Sequence, residues 1–524
     1  MRRQTVVLGA AMAIVVAGVV VFTLLVQPKP HGEAATPPSS KTLGFEQVAK
    51  EHVIATELGL AAGHYTYWSQ DATWTATTPG GWTSGFLPGE LWLEYQRTHE
   101  SWFKDHAISR ELPLIEYHVD AREADIGFRY FYSAAKAYDV AHTDVDRRAA
   151  LAAAAQQAAR FVPTVGALRS RPGKDTCPVI VDEIMNAQLL FWGSDHGGPA
   201  KWHVMAHQHA LTVARDFVRP SGSTYHVVEY DTATGHVRRK TTYQGYMAES
   251  TWARGQAWAI YGLSEAYRET RDVRLQNAAQ RVADWYIAHL PEDHVPYWDF
   301  DAPDIPNSPR DSSAAAIAAS GLLDLAQQSS DTQSAARYRK EARATLAVLS
   351  SPAFLSRGPN PAVLLHGTLN YRSQKTADYG LSFGDYFFLE ALQRLRRLPA
   401  DGPALWVKAV RASSGKPKRA VDGKPGTAWT SLGKQWLEFD LGRPRTVHEL
   451  TLAVRYGTSR SAGFRVYVST DRRRWHWADS ARSSGETSDA ETYAFKPKRA
   501  RYVRISFSGT SVNHTNAISE AQLR

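Results

Sequence analysis

Val179-Ile180-Val181-Asp182-Glu183-Ile184-Met185-Asn186-Ala187-Gln188-Leu189-Leu190-Phe191-Trp192 passes from an apolar triplet through an aspartate into a second apolar run. The run predicts a helix whose apolar positions are Ile184, Met185, Ala187, Leu189, Leu190 and Phe191. Asp is favoured at helix N-caps, so the plain reading of Asp182 is a cap. Its apolar and aromatic surroundings support a second reading. Burial makes the charged form of a carboxyl costly and raises its pKa, which suits a proton donor near neutral pH.

Five further segments share this form, a loop rich in Gly, Asp, Arg or Trp feeding a helix-like apolar run. They begin near Trp82, Asp125, Trp252, Arg310 and Gly384. More polar, amphipathic runs lie between them at 45–61, 146–162, 202–217, 272–290 and 332–348. An all-round apolar helix must be buried, whereas a one-faced helix can meet water. Six repeats of inner and outer helices predict a mainly α domain over 43–398, an (α/α)6 toroid. The starts of its six inner helices then share one end of the ring and line a single cleft.

The whole chain has 524 residues, too many for one core. Its 16 Trp are numerous, and its single Cys, Cys177, excludes an intrachain disulfide framework. Arg2-Arg3 precedes an apolar run from Val6 to Val26, long enough to span a bilayer as a helix. Residues 1–27 are therefore expected to form a transmembrane signal anchor, with the Arg pair cytoplasmic and the rest outside. Cleavage as a signal peptide, giving a secreted protein, is the alternative. The Pro- and Ser-containing stretch 28–42 reads as a linker.

A second linker is expected at 399–404, after which the pattern changes. Trp436–Asp440, Glu449–Val454, Phe464–Ser469 and Tyr502–Phe507 alternate apolar and polar residues between turn signals such as Leu441-Gly442. These predict an all-β sandwich over 405–524. The 61 Lys and Arg against 52 Asp and Glu give the chain a formal charge of +9, and the excess belongs to this tail. Its densest clusters are Arg472-Arg473-Arg474 and Lys496-Pro497-Lys498-Arg499. A basic surface of this kind attracts polyanions. Outside a cell the natural partner is an acidic polysaccharide, not nucleic acid.

The inner-ring motifs resemble the unsaturated glucuronyl hydrolases, glycoside hydrolase family 88. The run Trp252-Ala253-Arg254-Gly255-Gln256-Ala257-Trp258 and the run Arg310-Asp311-Ser312-Ser313-Ala314-Ala315 carry the resemblance most specifically. Membership implies removal of a 4,5-unsaturated uronic acid from the non-reducing end of oligosaccharides made by polysaccharide lyases. The chemistry is hydration of a vinyl ether and calls for no cofactor. By this resemblance Asp182 is the general acid and base, and Asp125 is a second aspartate that stays ionised. Arg254 and Gln244 match residues that hold the substrate carboxylate, and His226 matches a histidine of the same pocket. Trp82 and Trp258 would stack on the sugar. The family usually carries His before the Asp of its Asp-x-Gly-Phe motif, and Ala124 stands there in this chain.

Family members acting on sulfated glycosaminoglycan fragments have a Ser-x-x-Ser-x-Lys loop. Ser373 and Lys375 match its second half, and Asn370 stands in place of the first Ser. The tail resembles the discoidin, or coagulation factor 5/8 type C, sandwich and family 32 carbohydrate-binding modules, a galactose-binding-like jelly roll. Such modules often hold structural calcium, but no metal-ligand set is assigned from these residues. An unsaturated rhamnogalacturonyl hydrolase acting on pectin fragments, and a non-catalytic glycan-binding surface protein, are the competing readings.

Overall fold

The computed structural model describes residues 45–329, 331–374, 376–397, 405–424, 426–485, 487–488 and 490–524. Six outer helices are Phe45–Gly59, Ser101–Glu116, Asp144–Ala158, Lys201–Asp216, Val273–His289 and Thr332–Leu349. They alternate along the chain with six inner ones. Four inner helices are Phe86–Thr98, Ala253–Thr270, Ser312–Gln328 and Ser382–Arg397. The other two are broken. One runs Ile126–Tyr130, through a π-helical turn Phe131–Ala135, to Lys136–Ala141. The second runs Glu183–Asn186, then Gln188–Asp195. The inner helices pack in sequence and the last returns to the first, closing the ring.

The pattern of burial explains which helix goes where. Every residue from Ser312 to Ala326 is buried, and every residue from Ala253 to Ala266. Val273–His289 buries only Leu275, Ala278, Ala279, Val282, Ala283 and Tyr286, one stripe at helical spacing. Small residues let the inner helices approach closely. A Cβ on Gly321 would come within 2.8 Å of the Tyr261 Cα on the neighbouring helix.

The amphipathic runs named from the sequence include none over 99–124, yet Ser101–Glu116 is the second outer helix and contains Pro113. An interior proline argues against a helix in a sequence pattern, and burial of Phe103, Ala107 and Leu114 overrides it here. The strands between the helices were likewise unforeseen. Thr176–Ile180, Val227–Asp231 and Val237–Thr241 form one small antiparallel sheet, and Gly367–Asn370 with Thr376–Leu381 form a hairpin in another.

In the tail the expected strands Trp436–Asp440 and Glu449–Val454 are two halves of one bent strand, Gln435–Val454. Leu441-Gly442 is therefore not a turn between strands but an irregularity within one, with Gly442 at φ 76°. Strand Thr515–Leu523, which pattern reading missed, lies beside it. The sandwich has its own core, including Trp429, Phe439, Leu452, Val466, Ile505 and Ile518. Arg472 is not a free surface charge: its guanidinium pairs with Glu438, which is 1 % exposed and also binds Arg504 at 2.7 Å.

No helix among the described residues is long and apolar enough to cross a membrane. The apolar run Val6–Val26, both linkers and Lys375 lie outside the described residues.

Candidate active site

Asp182 and His226 are brought together by strand register. Ile180 pairs with Val227, and the next step is the Val181 N–H donating to the His226 carbonyl at 2.9 Å. Asp182 then begins the short helix Glu183–Asn186, but its side chain makes no capping hydrogen bond. The capping reading of Asp182 is thereby removed. Its Oδ2 lies 3.7 Å from His226 Nε2.

The protonation state of His226 follows from its partners. Its Nδ1 receives the backbone N–H groups of Tyr243 at 3.2 Å and Gln244 at 3.3 Å. Backbone N–H groups can only donate, so Nδ1 is an acceptor and the ring proton sits on Nε2. Thr242 Oγ1, 3.0 Å from Nδ1, itself accepts from the Gly245 N–H. Burial, then the cations Arg254, Arg171 and Arg372, lower the imidazole to about 3. A neutral His226 therefore presents an N–H towards Asp182.

Burial raises Asp182 to about 7, and the neighbouring Asp125 charge adds to the rise. Arg254 and the Trp258 indole pull in the other direction. Three buried polar atoms meet here, Asp182 Oδ2, His226 Nε2 and Trp258 Nε1. None of them completes a hydrogen bond to a described residue. Buried polar groups are normally satisfied, so such a trio marks a place built to receive a ligand.

Asp125 starts the inner helix at Ile126 with its backbone in the left-handed region, φ 58°. Its carboxylate is held by Asn186, whose Nδ2 lies 3.2 Å from Asp125 Oδ1 and 3.2 Å from Glu183 Oε2. The Asn186 Oδ1 accepts the Phe128 N–H at 3.0 Å, fixing the amide's orientation. Ala124 offers no polar side chain, and Asn186 does the holding instead. Burial raises Asp125, while Asn186 and the guanidinium groups of Arg160, Arg129 and Arg171 favour its charged form. Glu183, 1 % exposed, is raised to about 7 by burial despite Arg160. Three carboxyls thus share one site, and Coulomb repulsion prevents all three from ionising together.

Arg254 stands in the first turn of its helix, 2 % exposed. Its Nη1 donates to Asp311 Oδ2 at 2.8 Å and to the Thr368 carbonyl at 2.5 Å. Its Nη2 donates to Gln244 Oε1 at 2.9 Å and to the Leu369 carbonyl at 2.6 Å. The fork expected to be open for a carboxylate is taken up by the protein. The Nε–H and the Gln244 amide hydrogens are the donors these bonds leave over.

The two tryptophans differ. Trp82 is half-buried, with Phe383 at 5.0 Å and Phe128 at 5.5 Å between ring centroids. Trp258 is 1 % exposed, packed among Phe128, Phe383 and Phe387. It is a floor beneath the site and not an open platform for a sugar face. Its only polar contribution is the indole N–H.

Ser373 is exposed at the tip of the hairpin Gly367–Leu381, where its N–H donates to Asn370 Oδ1 at 3.3 Å. That tip reaches the site through Arg372, whose Nη1 donates to the Thr242 and Gly245 carbonyls at 3.0 and 3.3 Å. Lys375 lies outside the described residues.

Sequence reading missed Glu183, Asn186, Asp311, Arg171 and Arg372. The first two were detectable, since Glu183 and Asn186 stand three apart on one helix face within an apolar run. Nothing in the local sequence joins Arg171 or Arg372 to Asp182, because separate loops deliver them.

Comparison with known proteins follows the same division of the chain. Residues 406–521 match the F5/8 type C domain family. The helical part is similar to the unsaturated glucuronyl hydrolase of Formosa agariphila, 38 % identical over 328 residues, covering 60 % of this chain and 80 % of that protein. It is similar also to the unsaturated chondroitin disaccharide hydrolase of Streptococcus pneumoniae, 32 % identical over 321 residues, covering 60 % and 81 %. A crystal structure of an unsaturated glucuronyl hydrolase specific for heparin superposes with a TM-score of 0.63 at 34 % identity, covering 67 % of this chain and 96 % of that one.

Proposed function

The chain belongs to the unsaturated glucuronyl hydrolases, which are glycosidases, and from that premise we propose that it removes the 4,5-unsaturated uronic acid from lyase-made, sulfated glycosaminoglycan fragments. The observation that carries the reading is the trio Asp182 Oδ2, His226 Nε2 and Trp258 Nε1, buried beside a second aspartate and short of a completed hydrogen bond to any described residue.

In this reading Asp182, protonated up to about neutral pH, gives its proton to C4 of the vinyl ether. Positive charge develops at C5 and the ring oxygen, and the ionised Asp125 stabilises it. Water adds at C5 and passes a proton to the Asp182 carboxylate, which restores the acid. The resulting hemiketal opens and releases the remaining sugar with its hydroxyl. His226 Nε2–H orients Asp182 and the incoming groups without exchanging a proton, since its imidazole stays neutral. The Arg254 Nε–H and the Gln244 amide receive the uronate carboxylate, while Trp82 closes the cleft. Ser373 receives the sulfate, and Lys375 is assigned to it by the resemblance of the loop alone. Relatives named for chondroitin disaccharide and for heparin support the substrate class.

The test is a panel of lyase-generated unsaturated disaccharides, monitored by the absorbance of the conjugated double bond. Sulfated members should lose absorbance fastest, and no loss on any member would refute the reading. We further propose that the enzyme acts outside the cell, held by Val6–Val26, with the apolar run behind Arg2-Arg3 as support. Full-length protein should sediment with membranes, and a processed form in the medium would contradict anchoring.

A further inference from the structure

Glu183 shares the site with Asp125 and Asp182 but takes no step in the hydration. It is 1 % exposed and follows Asp182 directly in the chain. Glu183 Oε2 lies 3.2 Å from Asn186 Nδ2, and Asp125 Oδ1 lies 3.2 Å from the same nitrogen. The two carboxyl oxygens are therefore no further apart than twice 3.2 Å. An amide NH2 carries two hydrogens, and here each has its own carboxyl. The amide cannot flip, because its Oδ1 accepts the Phe128 N–H at 3.0 Å.

The other side of Glu183 is held loosely. Its Oε1 is 3.4 Å from Arg160 Nη2, and that nitrogen also donates to the Arg169 and Ser170 carbonyls at 2.6 and 2.9 Å. Arg160 is thus anchored on backbone and gives Glu183 only its longest contact. The Ser170 hydroxyl also favours the charged form. A buried charge is costly unless tightly paired, so burial prevails over Arg160, and the charges of Asp125 and Asp182 act in the same direction. Cys177 on the preceding strand feels the Glu183 charge, and His209 on the outer helix Lys201–Asp216, kept neutral by burial, meets its backbone. The inner helix Ala253–Thr270 brings Arg254, which acts on Asp182.

We propose that Glu183 is a positioning residue for the hydration: through Asn186 it fixes Asp125, and its charge keeps the proton on Asp182. The proposal rests on the hydrolase reading above and adds a third carboxyl to it. The first part follows from the amide. Without an acceptor at Glu183 Oε2 one buried Asn186 hydrogen is left unpaired, and the amide is drawn away from Asp125. The second part follows from repulsion. An ionised Glu183 resists ionisation of Asp182, as Asp182 resists that of Glu183. The pair therefore gives up its protons in separate steps, and Asp182 remains an acid to higher pH than it would alone.

The experiment measures kcat and KM against pH on one lyase-made unsaturated disaccharide, for the full chain and its Glu183→Ala and Glu183→Gln variants. Glu183→Ala should lower kcat on the order of tenfold at every pH and leave KM within about twofold, since it displaces a reacting group and not the contacts to the substrate carboxylate. Gln keeps an acceptor oxygen for Asn186 and cannot ionise. Glu183→Gln should recover most of the lost kcat at about pH 6. Its alkaline fall in kcat/KM, which reports the free enzyme, should nevertheless come at lower pH than the parent's, by roughly half a unit to one unit, because a neighbouring negative charge is gone. A residue that only filled space would not move that limb. A Glu183→Gln limb that coincides with the parent's, or lies above it in pH, overturns the proposal. So does a Glu183→Ala variant with the parent's kcat, or one whose loss falls on KM. If Glu183→Ala does not fold, the Glu183→Gln limb decides alone. An active parent with unmoved variants refutes the proposal only, whereas a parent inactive on every lyase-made disaccharide refutes the hydrolase reading and the proposal with it.

Discussion

A single carboxyl makes the residue scale testable. Burial holds Asp182 near 7, against the 3.8 of an unperturbed aspartate. The folded state therefore binds that proton more tightly than the unfolded chain does. Its contribution to stability is complete below about pH 4 and is lost as pH rises through 7. Asp182→Asn keeps the shape and cannot ionise. Its turnover should vanish, while its unfolding free energy should match the parent's at pH 4 and exceed it by about 2 to 4 kcal/mol at pH 8, since each tenfold change in proton affinity is worth about 1.4 kcal/mol. Chemical denaturation at the two pH values checks this. Turnover close to the parent's would remove Asp182 from its role. The parent's own rate should fall as pH rises past about 7, where the acid is spent.

At the scale of elements, the site depends on how closely two broken inner helices approach. Gly127 sits where a Cβ would come within 2.4 Å of the Asn186 Cα and 2.6 Å of its carbonyl oxygen. These are backbone atoms and cannot swing aside. Gly127→Ala should move Asn186 and release Asp125, lowering stability by about 1 to 3 kcal/mol. The rate should fall by more than the stability change implies, on the order of a hundredfold for a displacement near 1 Å. Melting curves and kcat together check it, and an active, unshifted variant would show that Asn186 does not hold Asp125. The same closeness explains what sequence could and could not reveal. Inner and outer helices were legible because burial imposes period and composition along a run, as in Ser312–Ala326 and Val273–His289. Asp125 and Asp182 were legible as polar residues opening apolar runs. The Asn186 amide between Asp125 and Glu183, and the full engagement of the Arg254 fork by Thr368, Leu369, Gln244 and Asp311, depend on loops far apart in sequence. The burial of Trp258 could not be told from that of Trp82, since an aromatic serves equally as wall or floor until its neighbours are known.

At the scale of the whole molecule, a slightly acidic catalytic ring is joined to a basic sandwich. The sandwich has a separate core, and residues 405–524 are expected to fold alone. They should bind a heparin column and elute with salt, because exposed charges are screened within about 8 to 10 Å at physiological ionic strength. The three arginines at 472–474 are not equivalent, however. Arg473 and Arg474 are exposed, and their bonds to described residues run through the backbone N–H groups to Asp471. Replacing both with Ser should weaken retention and leave the melting temperature within a few degrees. Arg472→Ser removes one of the two guanidinium partners of buried Glu438 and should lower the melting temperature instead. Salt-insensitive retention on an uncharged galactoside resin would point to a neutral-sugar pocket.

Both parts of the molecule are completed by their last element. The ring closes when Ser382–Arg397 packs against Phe86–Thr98, and the sandwich closes when Thr515–Leu523 pairs beside Gln435–Val454. During synthesis, then, neither part can fold as its first residues emerge. The ring must wait for residue 397, and the sandwich for residue 523, with Arg524 still to reach Glu449 at 3.1 Å. A chain stalled before Thr515 leaves a long strand with an open edge, ready to pair with another chain. The unfinished sandwich is most exposed in the moments before Thr515–Leu523 emerges and takes its place beside that strand.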